Sequence, residues 1–184
     1  MRVQKSTWLL ISMTLLLGAC SNNKQAYQQV TADPAENAHA AFINSEGKSI
    51  GEAVLTETAD GVQISLALQG LEPGERAIHI HAVGKCDKPT FETAGAHFNP
   101  THKQHGYLNS KGYHLGDLPN LQVDKDGTVD LEFSTKAFTL RPGESNSIID
   151  KDGTAFIIHE SADDYKTDPS GNSGKRIACG IIKK

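Results

Sequence analysis

Six of the eight histidines in this 184-residue chain fall into two ordered groups that could bind metal. His79 and His81 lie two apart in the stretch Ala77-Ile-His-Ile-His-Ala-Val-Gly-Lys-Cys86. In an extended strand such residues point the same way, about 6.6 Å apart at ~3.3 Å per residue. Two imidazoles so placed can converge on one ion, or can be polar residues on the outer face of an antiparallel sheet. His97, His105, His114 and Asp117 follow at gaps of 8, 9 and 3, and His159 ends the apolar run Ala155-Phe-Ile-Ile-His159. The set His97, His105, His114 and Asp117 offers three imidazoles and a carboxylate, a complete tetrahedral set for Zn²⁺. A site closed by four protein ligands reads as structural. His79, His81 and His159 offer nitrogen only and leave positions open, which suits copper. His97 stands between the groups, and its two ring nitrogens could serve both.

The elements that must position these residues read as strands. Val62, Ile64, Leu66 and Leu68 alternate with Gln63, Ser65, Ala67 and Gln69, the pattern of a half-buried strand. Val129, Leu131 and Phe133 alternate in the same way, and Ala155–His159 and Ile177–Ile182 are short apolar runs suited to core strands. Asn44–Gly47, Thr58–Gly61, Asp124–Gly127 and Asp150–Gly153 each end in Gly after polar residues, as hairpin turns do. No long segment has a 3.6-residue period. About eight short strands joined by turns predict an all-β Greek-key barrel or sandwich. Two stretches, Gly84–Val123 and Glu160–Lys175, are long and rich in Gly, Pro, Asn, Asp and His. Long loops in a compact domain are commonly functional, and these hold most of the candidate ligands. Asp124–Gly127 and Asp150–Gly153 place Gly at the fourth position, not the sixth that an EF-hand loop needs. Gly171–Lys175 lacks the spacing of a phosphate-binding loop.

Composition bounds the partners. Residues 1–19 have Arg2 and Lys5, an apolar run from Trp8 to Leu17, then Gly18-Ala19 before Cys20, the layout of a secretory signal. The ending Leu17-Gly18-Ala19-Cys20 resembles the lipobox of bacterial lipoproteins, in which the cysteine after the cut carries the lipid. The other reading is an ordinary cleaved signal; both imply export. Residues 20–36 are polar, contain Pro34 and show no period, and read as a flexible tether to a domain spanning 37–184. After Cys20 the chain holds 16 basic and 22 acidic residues, so 16 − 22 gives a net charge of −6. That argues against nucleic acid as a partner. With Cys20 lipidated, Cys86 and Cys179 remain, either as a disulfide pair or as two buried thiols.

Several motifs carry a specific resemblance. In order, IHIH (78–81), GAHFNP (95–100), HGY (105–107), HLGD (114–117), IIHESADD (157–164) and GNSGKRIACG (171–180) are similar to those of the copper/zinc superoxide dismutases, from about residue 40 to the C-terminus. The resemblance implies an eight-stranded Greek-key barrel or sandwich with two long functional loops. It implies copper on His79, His81, His97 and His159, zinc on His97, His105, His114 and Asp117, and His97 as the bridge. Arg176 matches the arginine that docks superoxide, Asp163 a carboxylate linking a histidine of each site, and Cys86 with Cys179 the intrachain disulfide.

The implied reaction turns two superoxide radicals and two protons into dioxygen and hydrogen peroxide. Three departures stand out. Ala82 occupies a position that is acidic in many members, and Ser170 one that is commonly threonine. Cys86 to His97 spans 11 residues, longer than in the animal enzymes, so their subunit-pairing surface does not transfer. His39 and His102 match no ligand and read as solvent-facing. Lys166 and Lys175 are near Arg176 in sequence and could add positive charge. The alternative is a lipoprotein of the same fold that binds copper and zinc without catalysis. A zinc hydrolase would need an open zinc, which Asp117 and three histidines would close.

Overall fold

The computed structural model describes residues 36–184; the signal segment, Cys20 and all but the last residue of the tether lie outside the described residues. Polar–apolar alternation makes β1 (Asn37–Asn44), where Ala38, Ala40 and Phe42 are buried. It likewise makes β2 (Ser49–Thr58) and β3 (Gly61–Leu68), the latter burying Val62, Ile64, Leu66 and Leu68. Gly47, at φ 86, donates its N–H to the Asn44 carbonyl at 2.8 Å and turns β1 into β2. Thr58–Gly61 turns β2 into β3.

Six further strands are β4 (Gly74–Arg76), β5 (Ile78–His81), β6 (Leu121–Val123), β7 (Val129–Thr135), β8 (Thr154–His159) and β9 (Arg176–Ile182). Seven strands pair antiparallel in the order β5-β8-β9-β1-β2-β3-β7, and β4 pairs with β6 separately. β4 and β5 are one extended stretch interrupted only at Ala77. There the Ala77 N–H donates to the Ser161 carbonyl and its own carbonyl accepts from His159 N–H, each at 2.9 Å. The expected eight strands are therefore present, with one stretch shared between two ladders. β9 returns beside β1 and β3 reaches β7 by a long connection, as a Greek key requires. Ile78 and Phe156 at one end of the strand order share a core with Val129 at the other, so the sheet curls around that core.

Two of the four glycine-ended turns do a different job from the one expected. Asp124–Gly127 joins β6 to β7, which lie in different ladders, and Asp150–Gly153 leads into β8 with no paired strand before it. Each still closes a turn, Gly127 N–H to Asp124 carbonyl at 2.9 Å and Gly153 N–H to Asp150 carbonyl at 3.3 Å.

β8 is buried along its whole length, and its two faces do different work. Phe156 and Ile158 join Ile78 and Ile80 in the main core. Ala155 and Ile157 face a smaller cluster with Phe91, Ala94 and Cys179. Phe91 is fully buried there, worth about 1.5–3 kcal/mol in area removed from water. That cluster and the Cys86–Cys179 disulfide, with Cα atoms 5.8 Å apart, fasten the first long loop to β8 and β9.

Candidate metal centre

β5 is the end strand of the seven-stranded sheet, and its free edge is covered by the first long loop. Phe98 N–H donates to the Ile80 carbonyl and Ile80 N–H to the Gly116 carbonyl, both at 2.8 Å. These bonds set His97 opposite His81 and Asp117 opposite His79. Residues directly opposite across an antiparallel pair project from the same face. The sheet thus presents His79, His81, His97 and Asp117 together on the face away from the main core, while Ile78 and Ile80 fill the core. His159 joins them from the end of β8, where its N–H holds the Ala77 carbonyl.

Four of these imidazoles are tied at one nitrogen and unpartnered at the other. His79 Nε2 meets Asp163 Oδ2, His81 Nδ1 the Gly95 carbonyl, His97 Nδ1 Asp117 Oδ1 and His159 Nδ1 the Gly174 carbonyl, at 2.8, 2.8, 2.9 and 3.2 Å. The opposite atoms, His79 Nδ1, His81 Nε2, His97 Nε2 and His159 Nε2, are buried with no hydrogen-bond partner. A ring nitrogen that donates to a carbonyl or carboxylate leaves the other as a lone pair. One ligand atom from each of the four residues can be chosen within 4.8 Å of all the others. Burial is the main cause that pulls the four imidazoles below their ordinary pKa, His97 to about 4 and His159 to about 3. All four rings are neutral at pH 7 and present an all-nitrogen pocket for a cation.

The second set is built around a carboxylate. Asp117 Oδ1 lies 2.9, 3.0 and 3.1 Å from Nδ1 of His97, His105 and His114, and the His97 and His114 nitrogens are 3.3 Å apart. A tetrahedron with metal–ligand bonds of about 2.0–2.1 Å has edges of roughly 3.3 Å, close to what these atoms span. Asp117 is fully buried, and its Oδ2 accepts from Gly106 N–H and His114 N–H at 2.9 and 3.0 Å. Burial alone would raise its pKa, but the three imidazoles and the Gly106 N–H hold it well below the carboxylate range. A buried carboxylate of this kind requires a cation.

Asp163 joins the two sets. Its Oδ2 meets His79 Nε2 at 2.8 Å and its Oδ1 meets His105 Nε2 at 2.9 Å. Burial opposes a charge on His105, yet the Asp117 and Asp163 carboxylates lift its pKa to about 9. Several supporting groups carried no signal in the sequence. Asn120 exchanges two hydrogen bonds with the Asp163 backbone, at 2.8 and 3.0 Å, and Tyr165 N–H donates to Asp163 Oδ1 at 2.6 Å. The Tyr107 hydroxyl donates to the Asp117 carbonyl.

A cavity of about 520 Å³ opens over the all-nitrogen pocket and is lined by His81, His97, His159, Ser170, Lys175 and Arg176 among others. The Arg176 guanidinium donates to the Phe91 and Gly95 carbonyls, both at 2.8 Å. Phe91 is the buried anchor of the smaller cluster, so packing under the loop fixes the cation at the cavity. Burial lowers the Arg176 pKa from its ordinary value and the Glu92 carboxylate opposes that fall; the group stays charged. Lys166 does not line this cavity, and His39 and His102 are solvent-exposed. Ala82 carries a backbone role, its N–H donating to the Ala96 carbonyl at 2.9 Å.

Comparisons with known proteins agree with this geometry. Residues 49–182 match the family model described as copper/zinc superoxide dismutase (SODC). The chain is 52% identical over 147 residues to superoxide dismutase [Cu-Zn] 2 of Aquifex aeolicus, covering 79% of this chain and 86% of that one. Among solved structures, a SOD-like protein from Bacillus subtilis superposes with a TM-score of 0.76 at 47% identity, over 78% of this chain and 96% of that one. The Cu/Zn superoxide dismutase from Brucella abortus gives 0.65 at 26% identity, over 80% of this chain and all of that one (100%). With its curled antiparallel sheet, its two joined donor sets and its disulfide, the chain belongs to the copper/zinc superoxide dismutase family.

Proposed function

We propose that this protein is a superoxide dismutase whose copper is held by His79, His81, His97 and His159 and whose zinc is held by His97, His105, His114 and Asp117. The observation that carries the reading is the set of four unpartnered ring nitrogens, each fixed from behind, beneath a cavity that also holds a half-buried guanidinium. Copper held by His79, His81, His97 and His159 would supply the one-electron chemistry that the overall reaction needs, in which two superoxide radicals and two protons give dioxygen and hydrogen peroxide. Zinc held by His97, His105, His114 and Asp117 would have no redox chemistry of its own and would balance the buried Asp117 charge.

The chain's own residues do the rest. Arg176 stays charged at any working pH and offers a small anion its guanidinium edge at the cavity. His97 keeps Nδ1 toward Asp117 while Nε2 faces the cavity side, where it can hold a proton and pass it to reduced product. Asp163 holds His79 and His105 in the tautomers that direct Nδ1 at the ions. A protein that only stored metal would need no guanidinium at the open position.

The test is superoxide consumption by protein loaded with both metals, with copper alone, with zinc alone and with neither. Activity is expected in the copper-containing forms only, with one copper and one zinc per fully loaded chain. Full loading with the radical left untouched would establish the storage reading instead.

We propose further that the protein lies outside the cytoplasm, lipid-anchored at Cys20. Its support is the charged start, the apolar run and the small residues before Cys20, together with a disulfide of the kind that persists in oxidising compartments. A Cys20→Ser variant is expected to lose fatty-acid label and leave the membrane fraction; retention there with no label lost overturns the anchor.

A further inference from the structure

Arg176 does not face the cavity alone. Its Nη2 stands 3.7 Å from Oε2 of Glu92, which lines the same cavity as His81, His97 and His159. The two side chains differ in exposure, 16% for Arg176 against 74% for Glu92. At that distance the pair is no good hydrogen bond, and the guanidinium is already held by two carbonyls at 2.8 Å. Glu92 is therefore not what keeps Arg176 in place. It opens the short 3₁₀ turn Glu92–Ala94, which the buried Phe91 and Ala94 pin to the protein, so its carboxylate is a negative charge stationed beside the guanidinium.

An anion that settles on Arg176 gains the guanidinium and is opposed by this carboxylate. The opposition is proportional to the anion's charge, so in free energy it is twice as large for a dianion as for a monoanion at the same place. Superoxide carries one charge, whereas hydrogenphosphate, which would otherwise suit a guanidinium well, carries two. The geometry points to Glu92 as a specificity-determining residue that lowers the affinity of the Arg176 end of the cavity for dianions twice as far, in free energy, as for small monoanions. A cavity blocked by phosphate would be closed to superoxide however well its metals were held. This inference rests on the dismutase reading above, and it adds a selection among anions which that reading does not contain.

The test uses protein loaded with copper and zinc, as wild type, Glu92→Gln and Glu92→Asp. Azide is titrated by its absorption change on the cupric protein, and hydrogenphosphate is then added as competitor at alkaline pH. At an ionic strength of about 0.01 M, where the Debye length is about 30 Å, azide should bind Glu92→Gln about threefold more tightly than wild type. Hydrogenphosphate should gain more than azide, up to about tenfold, the square of the first factor for a dianion as far from Glu92 as the azide is. Both gains should shrink near 0.15 M, and Glu92→Asp, which keeps the charge, should stay close to wild type. Equal gains for the two anions, or none, would overturn the assignment to Glu92. If wild type itself shows no azide-dependent absorption, the copper reading falls and this inference with it; normal azide binding with an indifferent Glu92→Gln variant removes this inference alone.

Discussion

Asp163 accepts from imidazoles of two different donor sets, His79 through Oδ2 and His105 through Oδ1. An amide cannot replace it there, because its NH₂ group would face an imidazole N–H that also donates. Asp163→Asn is therefore expected to bind at least one of the two metals 10–100-fold more weakly, about the usual cost of removing an orienting carboxylate. Titration against a competing chelator reads this, and unchanged affinity for both metals would refute the role. Gly171 shows how tightly the same carboxylate is enclosed. A Cβ at Gly171, whose φ is 64, would fall 1.8 Å from Asp163 Oδ1 and 2.8 Å from His105 Nε2. At this scale the side-chain donors were legible in the sequence, since His79 with His81 and the run from His97 to Asp117 carry their chemistry in residue type and spacing. The acceptors behind them were not. The carbonyls of Gly95, Gly174 and Phe91 hold two histidines and Arg176 in place, yet any residue brings a carbonyl, so no letter marks them.

Strands were legible where one face is buried and the other wet, as in β3, whose Val62, Ile64, Leu66 and Leu68 are all inside. The alternation failed to tell β7 apart as an edge strand, where Leu131 and Phe133 are only half-buried. Turn chemistry marked where the chain bends but not what it joins, and so the Asp124 and Asp150 turns lie outside any hairpin. Least legible was the attachment of the first long loop, because it rests on contacts between residues far apart. Phe91 and Ala94 pack on Ala155 and Ile157, and Cys86 bonds Cys179. Converting both cysteines to serine reopens a loop with a sequence separation of 93. In the chain-entropy model this costs about 4–5 kcal/mol, a fall in Tm of roughly 10–20 °C for a domain of this size. The carbonyls that hold Arg176 belong to the freed loop, so activity should fall further than copper content does. Calorimetry and metal analysis on the double variant check both halves, and a parallel loss of copper and activity would show that the loop serves the metal rather than Arg176.

Over the whole molecule charge and function pull against each other, for the chain after Cys20 carries 16 − 22 = −6 while the substrate is an anion. The net charge repels superoxide at long range, and only the field at the cavity can reverse that. Arg176 and Lys175 supply positive charge there and Glu92 subtracts from it. Salt screens charges separated by more than a Debye length, about 30 Å at 0.01 M and about 8 Å at 0.15 M. The distant repulsion is thus suppressed first and the nearby attraction last. Two regimes follow: added salt speeds the reaction if the body's charge controls encounter, and slows it if the cavity's field does. The sheet's curl decides between them, because it buries the two donor sets and leaves Arg176 as the half-buried cation at the opening, close to any anion that arrives. Turnover at low substrate is therefore expected to fall several-fold between about 0.01 and 0.3 M salt, as electrostatically steered encounters do. In Arg176→Ile the rate at low salt should drop by about tenfold or more, and the remaining salt dependence should flatten or change sign as the net charge takes over. Pulse radiolysis on both proteins across that salt range measures the slopes directly. A wild-type rate that rises with salt would mean that repulsion by the body controls encounter and that Arg176 acts only after the anion has entered.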